Sequence, residues 1–125
     1  MSEEIGRTDA SLGILVGGHQ SIGLKALLLF GNEEQKARWL PALASGEKIA
    51  AFALTEPEAG SDAASIRTTA RYDPARSEFV LDGTKHWISN GGIAEFFTLF
   101  AKDVALDAKD EHRRITAFEI GRAHV

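Results

Sequence analysis

The sequence contains no cysteine among its 125 residues. Disulfides, thiolate metal sites and thiol catalysis are therefore excluded. Positive charge is not in excess either, because the formal net charge is −4. A nucleic-acid-binding surface is accordingly not expected. The length suits one small domain with a hydrophobic core of its own.

An uninterrupted hydrophobic run is also missing. The most apolar stretch, LGILVGGHQSIGLKALLLFG (residues 12–31), is broken by His19, Gln20, Ser21 and Lys25. Such interruptions favour a buried helix over a membrane span, so no transmembrane segment is expected. Apolar residues recur along the stretch with a helical period, which predicts one helix that is covered on most sides.

The ends of two helices, which together span about residues 11–45, can be read from local chemistry. Residues 1–10 are polar and are predicted to be loose. Gly31 suits the left-handed position that ends a helix. Asn32 is a good N-cap, and Gln35 stands at the capping-box position, so a second helix is predicted to begin there and to end at ASGE.

In the second part of the sequence, apolar residues recur with the shorter period that is typical of strands, and residues that favour turns lie between these segments. TARY and EFVL flank the turn DPAR, which predicts a hairpin. Helices followed by strands, without alternation, favour an α+β fold with an antiparallel, barrel-like β region, and argue against a doubly wound sheet. The predicted strands are IAAFALT, TARY, EFVL, TKHWIS, FFTLFA and ITAF, and KDVALDAKDEHRR is a predicted surface loop.

The predicted elements leave hydrophobic surface and sheet edges uncovered. The chain is therefore expected to be a piece of a larger protein. Its last seven residues, EIGRAHV (119–125), match one reading frame of a common sequencing adaptor and are predicted to be an artefact.

The segment TEPEAGSD, residues 55–62, is rich in groups that can bind an anion. Pro57 restricts the backbone and Gly60 permits a tight turn. The turn can expose successive N–H groups beside the Ser61 and Thr55 hydroxyls, which would form a cradle for phosphate oxygens. The alternative is an ordinary polar loop in which Asp62 caps the short turn AASI.

The segment KHWISNGG, residues 85–92, offers an aromatic face. In a strand, Trp87 and Ser89 would share one face, and His86 and Ile88 the other. The indole could then lie against a flat aromatic ligand while the hydroxyl bonds its edge. The alternative places Trp87 in the core and lets Ser89 begin the turn into NGG.

Other site chemistries are not indicated. No histidine has a second ligand at metal-binding spacing, so no metal site is predicted. Glu56 and Glu58 are not placed across a substrate by any pattern, and no serine lies in a GxSxG elbow. No catalytic residue is assigned. The four histidines are His19, His86, His112 and His124.

Taken together, FALTEPEAGSD and LDGTKHWISNGG resemble the acyl-CoA dehydrogenase family, and the details are most similar to its very-long-chain branch. The resemblance covers nearly all of residues 11–118. It implies that residues 1–47 end the N-terminal α-helical domain and that residues 48–118 begin the middle β domain.

The resemblance implies an FAD site. Thr55 would hydrogen-bond the flavin ring. Gly60 and Ser61 would approach the FAD pyrophosphate, and Ser61 would also meet the CoA part of the substrate. Trp87 would flank the ring, and the Ser89 hydroxyl would lie near the flavin N5. The complete implied set is Phe52, Ala53, Leu54, Thr55, Gly60, Ser61, Trp87, Ile88 and Ser89.

The family reaction is the α,β-dehydrogenation of fatty acyl-CoA thioesters in β-oxidation. A carboxylate removes the α-proton, hydride leaves the β-carbon, and the electrons pass to an electron-transfer flavoprotein. The family's base is a glutamate of a C-terminal helical domain that these residues do not include, so the chain alone is expected to be inactive. The full-length protein is expected to be a homo-oligomer.

Two alternatives stay open beside the dehydrogenase. One is an acyl-CoA oxidase of the same superfamily, in which the reduced flavin reacts with oxygen. The other is a non-catalytic module that binds acyl-CoA or a protein. The expected location is the cytoplasm in a bacterium and the mitochondrial matrix in a eukaryote.

Overall fold

The computed structural model describes residues 2–106 and 114–121 of the chain. Helices come first and strands follow, which confirms the predicted α+β class. The helices are α1 (Ser2–Thr8), α2 (Ala10–Gly17), a π-helical segment (Gly18–Gly23), α3 (Leu24–Phe30) and α4 (Glu33–Ser45).

Helix α4 begins with the predicted capping box. The Asn32 side chain accepts a hydrogen bond from the Gln35 backbone N–H at 2.8 Å, and the Gln35 side chain accepts one from the Asn32 N–H at 2.8 Å. These bonds satisfy two N–H groups that the helix itself leaves unpaired. The helix ends at Gly46, whose left-handed φ of 78° fits the predicted stop.

Two predictions about helix ends are wrong. Residues 2–8 are not loose but helical, and Asp9 then caps α2 by accepting hydrogen bonds from the N–H groups of Ser11 and Leu12. Gly31 is extended rather than left-handed, with φ −63° and ψ 146°. Glycine suits this position for another reason, because a Cβ would lie 2.6 Å from the Leu27 carbonyl oxygen.

The long helix predicted over residues 12–30 is interrupted by the π-helical segment. Here the Leu24 N–H donates to the carbonyl oxygen of His19, five residues earlier. Single π-turns within α-helices often occur at functional sites.

The helical run Ala10–Phe30 is long and apolar enough to cross a membrane, with 21 residues and a mean hydropathy of 1.4. A core helix of a globular protein meets the same criteria of length and hydropathy. Large apolar side chains on the run remain exposed, among them Ile14, Leu29 and Phe30, the last with an exposed fraction of 86%. The described part of the chain thus does not supply the predicted cover.

Five described strands form one mixed sheet. The strand order is β1-β4-β2-β3, and β5 also pairs with β4. The strands are β1 (Ala50–Ala53), β2 (Thr69–Asp73), β3 (Glu78–Asp82), β4 (Phe96–Asp103) and β5 (Ile115–Gly121), with a short 3₁₀ turn at Ala63–Ser65.

Strands β2 and β3 form the predicted hairpin, in antiparallel register from Thr69↔Asp82 to Asp73↔Glu78. The predicted antiparallel barrel is not confirmed. Strand β2 pairs with β4 in parallel, through Thr69↔Lys102 and Ala70↔Asp103, and the sheet is not closed. The connection over residues 83–95 forms no strand of its own, and the strand that follows it runs in the same direction as β2.

The prediction of a strand at TKHWIS is therefore wrong as well. Trp87 has a φ of 55°, and this left-handed conformation interrupts the extended chain that a strand requires. The prediction that Trp87 and Ser89 share a strand face does not apply to this backbone.

The chain divides into two compact units. The first contains the described residues up to Phe52, with Ser89–Thr98 and the end of β5 from Glu119; the second contains Ala53–Ile88 and the described part of Leu99–Phe118. In the first unit Leu27, Leu43, Ala50 and Phe96 form a buried core, and the Trp39 ring packs on Phe96 with centroids 5.3 Å apart. The second unit buries Ala53, Ala59, Ile66, Thr68, Ala70 and Ala101.

Two predicted segments extend beyond the described residues. The predicted surface loop includes residues 107–113, which lie outside them. The predicted adaptor-encoded segment is described only at Glu119–Gly121, where it continues β5, and residues 122–125 lie outside the described part.

Candidate functional site

The first candidate loop is closed by a short turn in the second unit. The Glu56 N–H donates to the Ala59 carbonyl oxygen at 2.9 Å, and the Ala59 N–H donates to the Glu56 carbonyl oxygen at 3.2 Å. Pro57 and Glu58 occupy the tip between them. The turn brings Gly60 and Ser61 to the surface, where both are exposed.

The Glu56 carboxylate is buried beneath this loop. Its Oε1 accepts hydrogen bonds from the Thr68 N–H at 3.0 Å, from the Thr68 hydroxyl, and from Lys85 Nζ at 2.7 Å. Its Oε2 accepts one from the Arg67 N–H. The side chains of Glu56 and Lys85 have exposed fractions of only 3% and 9%. Full hydrogen bonding of this kind is what a buried ion pair requires.

Lys85 also joins the first loop to the second. Its Nζ donates to the Leu54 carbonyl oxygen at 3.1 Å as well as to Glu56. One residue further on, the His86 N–H donates to the Thr55 carbonyl oxygen at 2.8 Å. The segments 54–56 and 85–86 are therefore bonded to each other within the second unit, although some 30 residues separate Lys85 from this part of the first loop.

Trp87 follows at once and presents its indole to solvent. Its exposed fraction is 81%, so the alternative prediction that it belongs to the core is wrong. The His86 ring stacks against it, with centroids 4.3 Å apart and an interplanar angle of 24°. A left-handed φ is unusual for a bulky residue and marks a backbone held by its surroundings.

Gly60 and Ser61 leave room for a ligand. A Cβ built on Gly60 would meet nothing within 4 Å. The short turn that the alternative prediction expected after Asp62 is present at Ala63–Ser65, and the Ser65 N–H donates to the Asp62 carbonyl oxygen at 3.1 Å. The Asp62 side chain makes no cap to the turn backbone; it accepts a hydrogen bond from the Ser65 hydroxyl.

Two of the predicted site residues belong to the first unit. Phe52 lies in β1 and is half-buried, whereas Ser89 is exposed at the start of a turn. The Asn90 carbonyl oxygen closes that turn by accepting from the N–H groups of Ile93 at 2.9 Å and Ala94 at 2.8 Å. This agrees with the prediction that Ser89 begins a turn.

Comparison with known proteins identifies the family. The family model for the acyl-CoA dehydrogenase middle domain matches residues 51–124, and the model for the acyl-CoA dehydrogenase N-terminal domain matches residues 1–47. The chain belongs to the acyl-CoA dehydrogenase family.

Relatives of this acyl-CoA dehydrogenase chain include mitochondrial and bacterial proteins. It is 54% identical to the very long-chain specific acyl-CoA dehydrogenase of Bos taurus, over 97% of the chain and 19% of the relative. It is 47% identical to an acyl-CoA dehydrogenase of Bacillus subtilis, over 92% of the chain and 29% of the relative. The chain therefore spans 19% and 29% of the lengths of these two relatives.

A solved structure has the same fold. The crystal structure of an acyl-CoA dehydrogenase complexed with FAD from Bacillus anthracis matches 96% of this chain and 19% of its own chain. The TM-score is 0.85 and the sequence identity is 42%.

Sequence reasoning missed the two residues that join the loops of this acyl-CoA dehydrogenase chain. In the sequence, Glu56 stands out only beside Glu58 as one of two nearby carboxylates, and no pattern indicates a role for Lys85. A lysine next to His86-Trp87-Ile88, in a segment that the sequence predicts as a strand, is a signal that could point to a buried partner. The identity of that partner depends on the fold.

The ionised form of Glu56 is strongly favoured. Burial alone would raise its pKa, but the hydrogen bonds from the Lys85 ammonium, the Thr68 hydroxyl and the N–H groups of Arg67 and Thr68 lower the pKa from 4.5 to about 2. A carboxylate with so low a pKa is a weak base, and its oxygens are already engaged. Glu56 is therefore a structural group and not a general base.

The pKa of Glu56 predicts acid sensitivity. Because this pKa is lowered in the folded chain, the stabilisation is fully present above the unfolded value and is lost as the pH falls through the folded value. The free energy of unfolding should fall by about 3 kcal/mol between about pH 5 and about pH 2 through this group. Denaturant titrations at several pH values across that range should show that the free energy of unfolding falls less steeply with decreasing pH in the double variant Glu56→Gln/Lys85→Met than in the wild type. Equal slopes of this free energy against pH would contradict the lowered pKa of Glu56.

Gly83 allows the close packing that holds Thr68 beneath Glu56. Its φ is 153°, and a Cβ there would lie 2.7 Å from the Thr68 Cα. Gly83→Ala is expected to lower the free energy of unfolding by roughly 2–4 kcal/mol. Gly92→Ala is the control, because a Cβ at Gly92 would meet nothing within 4 Å. In the same denaturant titration this variant should change the free energy of unfolding by less than about 0.5 kcal/mol. Similar losses for both variants would refute this explanation.

Proposed function

We propose that this chain forms part of a larger FAD-dependent enzyme, called the parent enzyme below, that dehydrogenates fatty acyl-CoA thioesters. The observation that carries the proposal is the bonding of the two candidate loops to each other through Lys85 and through the His86 N–H. Family membership and the FAD complex of the Bacillus anthracis relative support it. The exposed apolar side chains of Ala10–Phe30 support a larger protein.

The residues of the two loops have the chemical groups that binding of an FAD requires. A flat ring needs an apolar face, and the exposed Trp87 indole offers one. A diphosphate needs N–H and hydroxyl donors with space around them, and the exposed Gly60-Ser61 pair offers both. The absence of a lysine or arginine at the tip is compatible with such a cradle, because backbone N–H groups alone can bind phosphate oxygens.

We assign the roles as the resemblance implies. Thr55 hydrogen-bonds the flavin ring, Trp87 flanks it, and the Ser89 hydroxyl bonds its edge. Gly60 and Ser61 hold the pyrophosphate, and Ser61 also meets the CoA part of the substrate. The complete proposed set is Phe52, Ala53, Leu54, Thr55, Gly60, Ser61, Trp87, Ile88 and Ser89.

Bound FAD would accept the hydride that leaves the substrate β-carbon. The residues of this chain would orient the cofactor. Glu56 stays ionised and fixes the first loop, so that Gly60 and Ser61 present their donors in one arrangement. The base that takes the α-proton is proposed to lie elsewhere in the parent enzyme, as are the acyl-chain cavity and the contacts that make it a homo-oligomer.

The proposal extends to the partner and the location. Electrons are proposed to pass to an electron-transfer flavoprotein. The parent enzyme is proposed to act in the cytoplasm if it is bacterial and in the mitochondrial matrix if it is eukaryotic, as the relatives of both kinds suggest.

Anaerobic titration of the purified parent enzyme with a long-chain acyl-CoA tests the function. The flavin absorbance band should be present and should bleach on addition of substrate, whereas the 125-residue chain alone should not reduce an artificial electron acceptor. Hydrogen peroxide formation in air would favour the acyl-CoA oxidase instead. A parent enzyme without flavin absorbance would contradict the proposal and favour a non-catalytic binding module.

A further inference from the structure

The side-chain amide of Asn90 connects two elements of the first unit. Its Nδ2 donates to the carbonyl oxygen of Leu15 in α2 at 3.1 Å and to that of Ala50 in β1 at 3.3 Å. Both partners are carbonyl oxygens and can only accept, so the group that faces them must be the NH₂ of the amide. These contacts span 75 and 40 residues of sequence.

The contact at Ala50 is made to a fixed backbone. The Ala50 N–H donates to His19 Nδ1 at 3.0 Å, and the other ring nitrogen of His19 lies 3.0 Å from the Leu43 carbonyl oxygen. An acceptor at Nδ1 and a donor at Nε2 describe a neutral imidazole in one tautomer. Both polar groups of Ala50 are thus bound by side chains, one from the π-helical segment and one from the turn that contains Asn90.

Asn90 also holds the turn that follows Ser89. Its φ of 65° is tolerated by asparagine better than by most residues, and its carbonyl oxygen accepts from Ile93 and Ala94. The Ser89 hydroxyl makes no hydrogen bond within the described residues. The position of that hydroxyl therefore depends on the backbone beside it, and Asn90 fixes this backbone.

We propose that Asn90 is a positioning residue for the flavin site, acting through Ser89. The inference rests on the proposed function, because it takes Ser89 as a flavin contact. It assigns to Asn90 a role distinct from contact with the cofactor: its amide anchors the Ser89 turn to α2 and β1, and so fixes the point from which the Ser89 hydroxyl reaches the ring edge.

The decisive variant in the parent enzyme is Asn90→Asp. Aspartate has nearly the same shape and tolerates the same backbone, but its carboxylate cannot donate to the two carbonyl oxygens and is repelled by them. The dissociation constant for FAD should rise by about 10- to 100-fold. Asn90→Gly is the second variant: it keeps the left-handed conformation and removes both donors without adding charge, and should show an increase in the same direction.

A double-mutant cycle with Ser89→Ala separates positioning from general destabilisation. If Asn90 acts through Ser89, Asn90→Gly should weaken FAD binding much less in the Ser89→Ala background than in the wild type, while its effect on thermal unfolding of the flavin-free enzyme stays the same. Equal effects on FAD binding in both backgrounds would show a merely structural role and overturn the inference.

Failure of the inference can be told from failure of the proposed function. A wild-type parent enzyme that binds no FAD would refute the function, and the inference with it. A wild-type enzyme that binds FAD, with folded Asn90→Asp and Asn90→Gly variants that bind it equally well, would refute the inference alone.

Discussion

Replacing Lys85 with methionine is expected to lower the free energy of unfolding of the chain by about 3–5 kcal/mol. Methionine fills a similar volume, but it leaves the Glu56 carboxylate buried without its cation and removes the bond to the Leu54 carbonyl oxygen. The loss follows mainly from the unpaired charge and much less from the intrinsic strength of the pair. Denaturant-induced unfolding measures it directly.

The chain contains a matched control for this variant. Lys36 pairs with Glu33 at 3.3 Å on the surface, where the Glu33 side chain is 94% exposed. Lys36→Met should change the free energy of unfolding by less than about 0.5 kcal/mol. The double variant Glu56→Gln/Lys85→Met should recover more than half of the loss, because no charge remains buried. If Lys85→Met and Lys36→Met cost the same, the buried pair does not hold the loops together.

Replacing Trp87 with alanine is expected to separate binding from folding. Because the indole is exposed, its removal should change the free energy of unfolding by less than about 0.5 kcal/mol. Removal of an aromatic face that lies against a planar ring should nevertheless raise the dissociation constant of the parent enzyme for FAD by about 10- to 100-fold. Fluorescence titration with FAD measures the binding, and thermal unfolding of the flavin-free enzyme measures the stability.

The other tryptophan should behave in the opposite way. Trp39 packs on Phe96, and the cationic groups of Arg38 and Lys48 each lie about 5 Å from its ring centroid. Trp39→Ala should lower the free energy of unfolding by about 3 kcal/mol and leave the FAD affinity of the folded fraction unchanged. If Trp87→Ala binds FAD as tightly as the wild type, the indole is not part of the site.

Local chemistry made several elements predictable. The capping box of Asn32 and Gln35 operates within one turn, and the DPAR turn joins strands that are neighbours in sequence. Such features depend on few residues and are the same in most folds. The α+β class followed from the change in hydrophobic period.

Elements that depend on distant contacts were not predicted. The left-handed conformation of Trp87 interrupts TKHWIS, a segment whose β-branched and aromatic residues favour a strand. Its cause is tertiary, since Lys85 turns inward to Glu56 and the His86 N–H bonds the Thr55 carbonyl oxygen. The parallel pairing of β2 with β4 likewise depends on how the intervening chain folds.

The candidate site was predicted by resemblance and only partly by physics. Donors at Gly60-Ser61 and an aromatic at Trp87 were visible as chemistry, but spacing alone left ordinary loops as open alternatives. Exposure of the indole removes the core alternative for Trp87. The hydrogen bonds of His86 to Thr55 and of Lys85 to Glu56 show that the segments 55–56 and 85–86 are adjacent, which the sequence alone does not reveal.

A crystal structure of the parent enzyme with FAD would show directly whether the two loops hold the flavin. We expect the isoalloxazine ring against the Trp87 indole, the pyrophosphate at Gly60 and Ser61, and the Glu56–Lys85 pair intact beneath the first loop. A flavin bound elsewhere on the protein, with Ser61 and Trp87 both out of contact with it, would refute the proposed site.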